Sequence, residues 1–422
     1  MHRFFTGLWR HPEFMKLWIS QTLSELGSQV TLLALPLTAV LALRVHSPAH
    51  MGLLGAAESA PVFLIGLFAG VGVDRWRRRP ILIGADLGRA VLLGAVPCAA
   101  ALGWLTMGHL YSVGFLVGVL AVFADLADQS LLPAVVGHAH LIEASSKQEL
   151  SSAAVGILGP GLAGALVQAL TAPLAIAADA LSFLVSAVCM SLLRTPEARP
   201  PTRSPERRSL WGEIAEGLRT VLGHPLLRPM ALSGGVLNFF SSVLLAVYVL
   251  FAVTELRLSP LMLGALSMVR SGGFLAGALL TPWAGRRFGT GPTMVGGVVL
   301  MGAAWLPFGF VGGPPRLLLP VLAAMHLVSG VGNPLYTINA SSLRQTITPD
   351  WLLGRMNASY RFIGRGVMPL GSLTGGALGT LIGLRPAVEV AALGLLVGAL
   401  WLLLSPLPGL REMPPHVGDG AM

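Results

Sequence analysis

Charge is what this chain has least of. Only 11% of its 422 residues are Asp, Glu, Lys or Arg, and lysine is confined to Lys16 and Lys147. Soluble domains carry roughly a quarter charged residues. A chain with 54% hydrophobic residues and a mean hydropathy of +0.73 lacks the polar surface needed to fold in water. The same composition excludes intrinsic disorder, which needs low hydrophobicity and high net charge. Cysteine is scarce too. Cys98 and Cys189 sit in apolar runs and build neither a disulfide framework nor a metal site. His138 and His140 lie in a loop without further ligands, so no metal and no cofactor is expected. Neither lysine ends a G-x-x-x-x-G-K string, which rules out ATP hydrolysis of the Walker kind. No His-Glu motif or cysteine pair supplies an enzyme's reacting groups, and the chain is not expected to be an enzyme.

Long apolar runs are what the sequence does have. They fall at about 15–43, 50–73, 81–104, 108–137, 151–170 and 173–193, then at 229–254, 259–283, 291–312, 316–343, 356–382 and 386–406. Each is long enough to cross about 30 Å of hydrocarbon at 1.5 Å per residue. The expected fold is therefore an all-α membrane protein of twelve transmembrane helices. Its segments are an N-terminal six-helix half (1–193), a linker (194–228), a C-terminal half (229–406) and a tail (407–422). Residues 1–14 carry Arg3 and Arg10 without a small-residue cleavage site, so the first span reads as uncleaved. Within the linker, Leu210 to Leu222 places Trp211, Ile214, Leu218 and Leu222 on one side of a short surface helix.

The net charge of +9 would suggest nucleic acid in a soluble protein. Here its distribution matters more. With the N-terminus inside, 20 of the 28 basic residues fall in inner loops and 4 (Arg44, Arg257, Arg316 and Arg385) in outer ones. That asymmetry places both termini in the cytoplasm and leaves no soluble basic face for nucleic acid. Landmarks also recur half a chain apart. Arg75 and Arg286 are separated by 211 residues, and Pro160 and Pro369 by 209. Such pairing implies two pseudo-symmetric six-span halves around a central cavity, an architecture of transporters.

Three segments carry a more specific likeness. Gly70-Val-Gly-Val-Asp74-Arg75-Trp-Arg-Arg78-Arg79 resembles the loop motif between spans two and three of the major facilitator superfamily. The run containing Gly156, Gly159, Pro160, Gly161 and Gly164 resembles the fifth-span motif of its antiporters, with a single Gly164 where a pair is usual. Asp179-Ala-Leu-Ser182-Phe183, together with Leu353-Gly354-Arg355 through Pro369-Leu370-Gly371, is similar to the branch of drug:proton antiporters containing macrolide and enterobactin exporters. The resemblance implies that Asp74, Arg75 and Arg78 latch the cytoplasmic face in the outward-facing state. It also implies that the fifth-span glycines form a hinge and seal. Close packing of two helices is an equally good reading of those glycines.

Ionisable residues inside spans are costly unless paired or wet, so they mark function. Glu25 lies ~15 Å into span one. Gln21, Ser28 and Gln29 form a polar stripe beside it, suited to a cavity wall. Glu25 is the first candidate for proton coupling or cation recognition, and Glu58 the second. Arg270, deep in span eight, is a candidate anion contact or counter-ion. Asp86 and Arg89 stand one turn apart in span three; Asp125 and Asp128 share a face of span four, and Arg361 and Arg365 a face of span eleven. These groups, with Asp74, Arg75 and Arg78, are expected to form a cytoplasmic gate. Asp179, Asn238, Asn333 and His326 are weaker candidates, because a lone polar residue in a span usually bonds a neighbouring helix. The aromatics Trp18, Phe239, Phe240, Tyr248, Tyr336 and Tyr360 suit a cavity wall, packing or an interface belt.

The sequence thus favours a monomeric, multi-pass protein of the cell membrane. It would export an amphipathic small molecule against an inward flow of protons. Import or facilitated passage of a metabolite is the alternative among transporters. From another class, a non-transporting membrane sensor remains open, although the largest loop, about 35 residues, is short of a usual domain.

Overall fold

The computed structural model describes residues 7–73, 77–128, 131–137, 140–194 and 210–414. Fifteen α-helices occur among them, and no strand. In chain order they are α1 (Pro12–Leu37), α2 (Pro48–Val73), α3 (Arg78–Ala101), α4 (Met107–Asp128), α5 (Leu131–Val136), α6 (Leu141–Leu170), α7 (Ala172–Ser191) and α8 (Leu210–Gly223). Then follow α9 (Leu227–Thr254), α10 (Pro260–Phe288), α11 (Thr290–Trp305), α12 (Pro315–Ile347), α13 (Asp350–Arg365), α14 (Met368–Leu381) and α15 (Leu384–Leu403). Eleven helices among the described residues are long and apolar enough to cross a membrane. The remaining span, eleventh in chain order, is the broken pair α13–α14. Pro369 sits in the first turn of α14, and with no N–H to give it starts a new helix rather than continuing the old one.

Two boundaries differ from the sequence reading. Residues 143–149 are rich in charge and look like a loop, yet α6 begins at Leu141, about ten residues before the expected start. The N-terminal turn stabilises this extension. Leu8 N–H donates to Glu143 (3.2 Å), Lys147 pairs with Glu143 (2.7 Å), and the Lys147 ammonium lies 4.5 Å from the centre of the Trp9 ring. The run 108–137 is likewise two helices, α4 and the single-turn-and-a-half α5.

Contacts divide the chain into two compact units. The first comprises the described parts of Met1–His46, Ala57–Thr202 and Ser259–Met268; the second comprises Ser47–Ala56, Arg203–Leu258 and Val269–Met422. Each unit therefore includes the first turns of one helix whose remainder belongs to the other. Glycines explain how those turns fit. In the first unit Gly264 of α10 crosses Gly164 of α6, so that a Cβ on Gly164 would lie 3.0 Å from the Gly264 Cα. In the second unit Gly52 of α2 crosses Gly376 of α14, and a Cβ on Gly52 would lie 2.7 Å from the Gly376 Cα. With lipid outside, close backbone packing of this kind replaces the hydrophobic effect as the force between helices.

These crossings also set the register of the internal repeat. Gly52 and Gly264 are 212 residues apart, as are Gly164 and Gly376. Thr171 and Gly383, which precede α7 and α15, share that spacing and the same positive φ (93° and 90°). In that register Pro160 matches Ser372 rather than Pro369: the Pro160 carbonyl faces Gly264 as the Ser372 carbonyl faces Gly52.

In the first unit, Leu8, Phe14, Leu17, Leu82, Ala85, Ala127, Met190 and Leu193 form one buried cluster at the ends of α1, α3, α4 and α7. Arg79, at the start of α3, caps α7 by donating to the Met190 carbonyl (2.8 Å) and to that of Ser191. In the second unit α8 forms as expected and packs on α13. Gly217 meets the Arg355 carbonyl there, and Glu216 pairs with Arg355 at 2.8 Å. His224 accepts from the Leu226 and Leu227 N–H groups at the start of α9, and burial holds its imidazole below the usual value.

Candidate transport site

The first unit contains a cavity of about 480 Å³ whose wall is mostly polar. Five helices build it. Facing it are Glu25 on α1, Asp86 and Arg89 on α3, Asp125 and Asp128 on α4, and Glu149 on α6; Ser186 of α7 completes the wall. Five carboxylates thus stand against one guanidinium. Serine and glutamine fill most of the remaining wall, and no aromatic ring lines it.

Hydrogen bonds fix these side chains. Gln21 is the central bracket: its Nε2 donates to Asp128 Oδ1 (2.5 Å) while its Oε1 accepts from Gln148 Nε2, tying α1 to α4 and α6. Glu25 lies at mid-helix, and its Oε2 accepts from the Ser152 hydroxyl at 2.7 Å. Ser186 donates to Asp86 Oδ2 (2.5 Å), so the 2.6 Å contact with Ser20 is made by the Ser20 proton. Asp86 Oδ1 and Arg89 Nη1 are 3.9 Å apart. The guanidinium also donates to the Leu120 carbonyl (3.1 Å) and covers the Phe183 ring at 4.9 Å.

The structure therefore brings together Glu25, Asp86, Arg89, Asp125 and Asp128, which the sequence treats as separate clusters. Glu58 does not line this cavity. It sits half-buried on α2, where its carbonyl and Pro61 leave room only for Gly118 of α4. Arg270 is exposed on α10 in the second unit, as are Arg361 and Arg365 on α13. Asp74 and Arg75 lie outside the described residues; Arg78 is half-buried in the first turn of α3. The fifth-span glycines divide by direction. Gly159 faces Gln29 and Leu26 of α1, Gly161 faces Met268, Gly164 meets α10, and Gly156 touches nothing. Through Pro160 the helix continues unbroken.

Sequence reasoning missed Gln148, Glu149, Ser152 and Ser186. The first two were lost with the misplaced start of α6, although Gln148 and Ser152, four residues apart, already form a polar edge. The aromatic set lines no part of this cavity. Trp18 donates to Ser151 (2.7 Å), and both Tyr336 and Tyr360 donate to the Met230 carbonyl (3.0 and 3.1 Å). Tyr248 packs on Trp305, Phe308 and His326.

Residues 6–416 match the family described as transmembrane secretion effector, within the major facilitator superfamily. The chain belongs to that family. Among characterised relatives, it is 29% identical over 419 residues to the multidrug efflux pump Tap of Mycolicibacterium fortuitum, covering 97% of this chain and 98% of Tap. It is 27% identical over 422 residues to the enterobactin exporter EntS of Citrobacter koseri, covering 97% and 96% of the two chains. Among solved structures, a D323A variant of the nucleoside transporter NupG superposes with a TM-score of 0.75 at 12% identity, covering 93% of this chain and 99% of that one. A bacterial homologue of the iron transporter ferroportin, in its inward-facing state, gives 0.72 at 18% identity, with 94% and 99% covered. These structures share the fold. The protein is thus a multi-pass membrane transporter for small molecules, not an enzyme, and its twelve spans form two halves of six.

Proposed function

We propose that this family member exports a small organic cation across the cell membrane by alternating access, with inward proton movement driving each cycle and both termini in the cytoplasm. The observation that carries this reading is the cavity in the first unit, where five carboxylates face one guanidinium. A low-dielectric wall of that charge focuses a negative potential and favours a cation over a neutral or anionic solute. Glu25 is the primary contact. Among the described residues its carboxylate is held by one serine hydroxyl, which leaves an oxygen for an ammonium or for a proton. Export, rather than uptake, is supported by the kinship with an efflux pump and an exporter. The loop residues Asp74, Arg75 and Arg78 take the role of cytoplasmic latch that their family likeness implies. With Asp86, Arg89, Asp125 and Asp128 they make up the proposed gate.

The decisive experiment is uptake of ethidium into inverted membrane vesicles energised by a pH gradient. Wild-type vesicles should accumulate the dye, and a protonophore should abolish accumulation. Glu25→Gln should insert normally and lose gradient-driven uptake. Uptake that persists in the variant sinks the role of Glu25, and uptake indifferent to the protonophore sinks proton coupling.

A further inference from the structure

The segment Asp179-Ala-Leu-Ser182-Phe183 lies outside the cavity and has no part in the reading above, yet it holds the least exposed carboxylate among the described residues of the first unit. Asp179 is 1% exposed, seven residues or ~10 Å along α7 from its start. Thr31 of α1 donates to its Oδ2 at 2.5 Å, and the Ser182 hydroxyl shares its proton between the Asp179 backbone carbonyl (2.8 Å) and Oδ1 (3.0 Å). Gly27 of α1 is a glycine because the Asp179 carboxylate and the Ser182 hydroxyl occupy the space a Cβ would need. α7 packs against α1, α3, α6 and the π-helical turn that follows α1. Along this stretch the charged groups on those elements are Glu25, Asp86 and Arg89, and among the described residues none forms an ion pair with Asp179. Arg89 is engaged by Phe183, the Leu120 carbonyl and Asp86.

A fully buried carboxylate with hydroxyl donors, no ion pair and only the more distant charge of Arg89 is poorly suited to a permanent negative charge and well suited to taking up a proton. The cavity lies further along α7. Ser186, seven residues on and on the same side of the helix as Asp179, donates to Asp86 in the cavity wall. We infer that Asp179 is the proton carrier of the cycle, exchanging one proton with the cavity at Asp86, while the cavity carboxylates hold the substrate cation. The step balances simply. One O–H bond breaks on Asp86 and one forms on Asp179, and no electrons are exchanged.

The inference rests on the proton-coupled reading above, and two measurements separate them. The first needs no substrate. Infrared difference spectra of the lipid-reconstituted protein between acid and alkaline pH should show a carboxylic-acid band that is absent from Asp179→Asn, an isosteric change that keeps partners for Thr31 and Ser182. Identical spectra would overturn the assignment. In proteoliposomes, Asp179→Asn should retain ethidium exchange at equal pH on both sides and lose accumulation driven by a pH gradient. Loss of both activities would assign Asp179 a structural role and refute the inference, as would wild-type accumulation. Thr31→Val, should Asp179→Asn not fold, removes a donor to the charged form and should move the pH profile of driven transport to higher pH; an unmoved profile counts against the carrier. If wild-type protein fails to move ethidium, the substrate reading fails and the infrared result still decides Asp179.

Discussion

The two units share a repeat of 212 residues and differ in what they enclose. In the first, α3 and α7 present Asp86, Arg89, Asp179, Ser182 and Ser186. At the same register in the second, α11 and α15 present Val298, Met301, Ala391, Gly394 and Gly398. The seam between first and last helix is inverted as well. Gly27 on α1 admits Asp179 and Ser182 from α7, whereas Gly394 on α15 admits the Phe240 ring from α9. The second unit buries aromatic rings instead of carboxylates. Among those rings Tyr248 and His326 form a polar pair, hydroxyl and Nε2 3.0 Å apart. His326 Nδ1 lies 2.8 Å from the Leu322 carbonyl and must donate to it, so Nε2 accepts from Tyr248. One fold thus yields a unit with a carboxylate-lined cavity and a unit whose matching positions are apolar.

The largest expected effect comes from forcing the first unit's chemistry on the second. Val298 is fully buried at the position matching Asp86, and Gly398 stands where Ser186 would supply a donor. Val298→Asp should cost at least about 3 kcal/mol for an unpaired acid in a span, read as loss of protein from the membrane fraction. Normal accumulation would mean that the second unit tolerates charge and that the contrast is superficial.

Next come the matched glycine crossings. Gly264→Val and Gly376→Val each insert atoms where backbones nearly touch, and should destabilise by roughly 1–3 kcal/mol. Thermal unfolding in detergent should show similar losses for both, because the crossings are equivalent. A large loss for one alone would show that the repeat does not extend to its packing.

The smallest effect is expected for Tyr248→Phe. Removing the hydroxyl leaves His326 Nε2 buried without a donor, a cost of about 1–2 kcal/mol. Melting temperature should fall, and the pH dependence of ethidium transport should stay unchanged. A shifted pH profile would place a proton step in the second unit and break the division of labour.

Much of this was legible in residue order. Apolar runs located the spans because lipid demands about twenty apolar residues in a row, and Glu25, Asp86, Arg89, Asp125 and Asp128 stood out as charges inside them. Residues 143–149 were misread because amphipathic helix and polar loop have the same composition, and the tie between Glu143 and Leu8 that extends α6 spans 135 positions. Pro369 was paired with Pro160 because prolines are conspicuous, whereas glycine crossings depend on which backbones touch.

The sequence by itself determined the membrane class, the number of spans, the existence of a repeat and the list of charges that lipid could not accept. Tertiary structure decided which of those charges share one cavity and which stand elsewhere. A helix carries side chains all round its axis, and periodicity shows which of them share a face. Only the packing of α1 against α4, α6 and α7 shows that Gln21 reaches Asp128, that Ser152 reaches Glu25, and that Asp179 is closed off against Gly27.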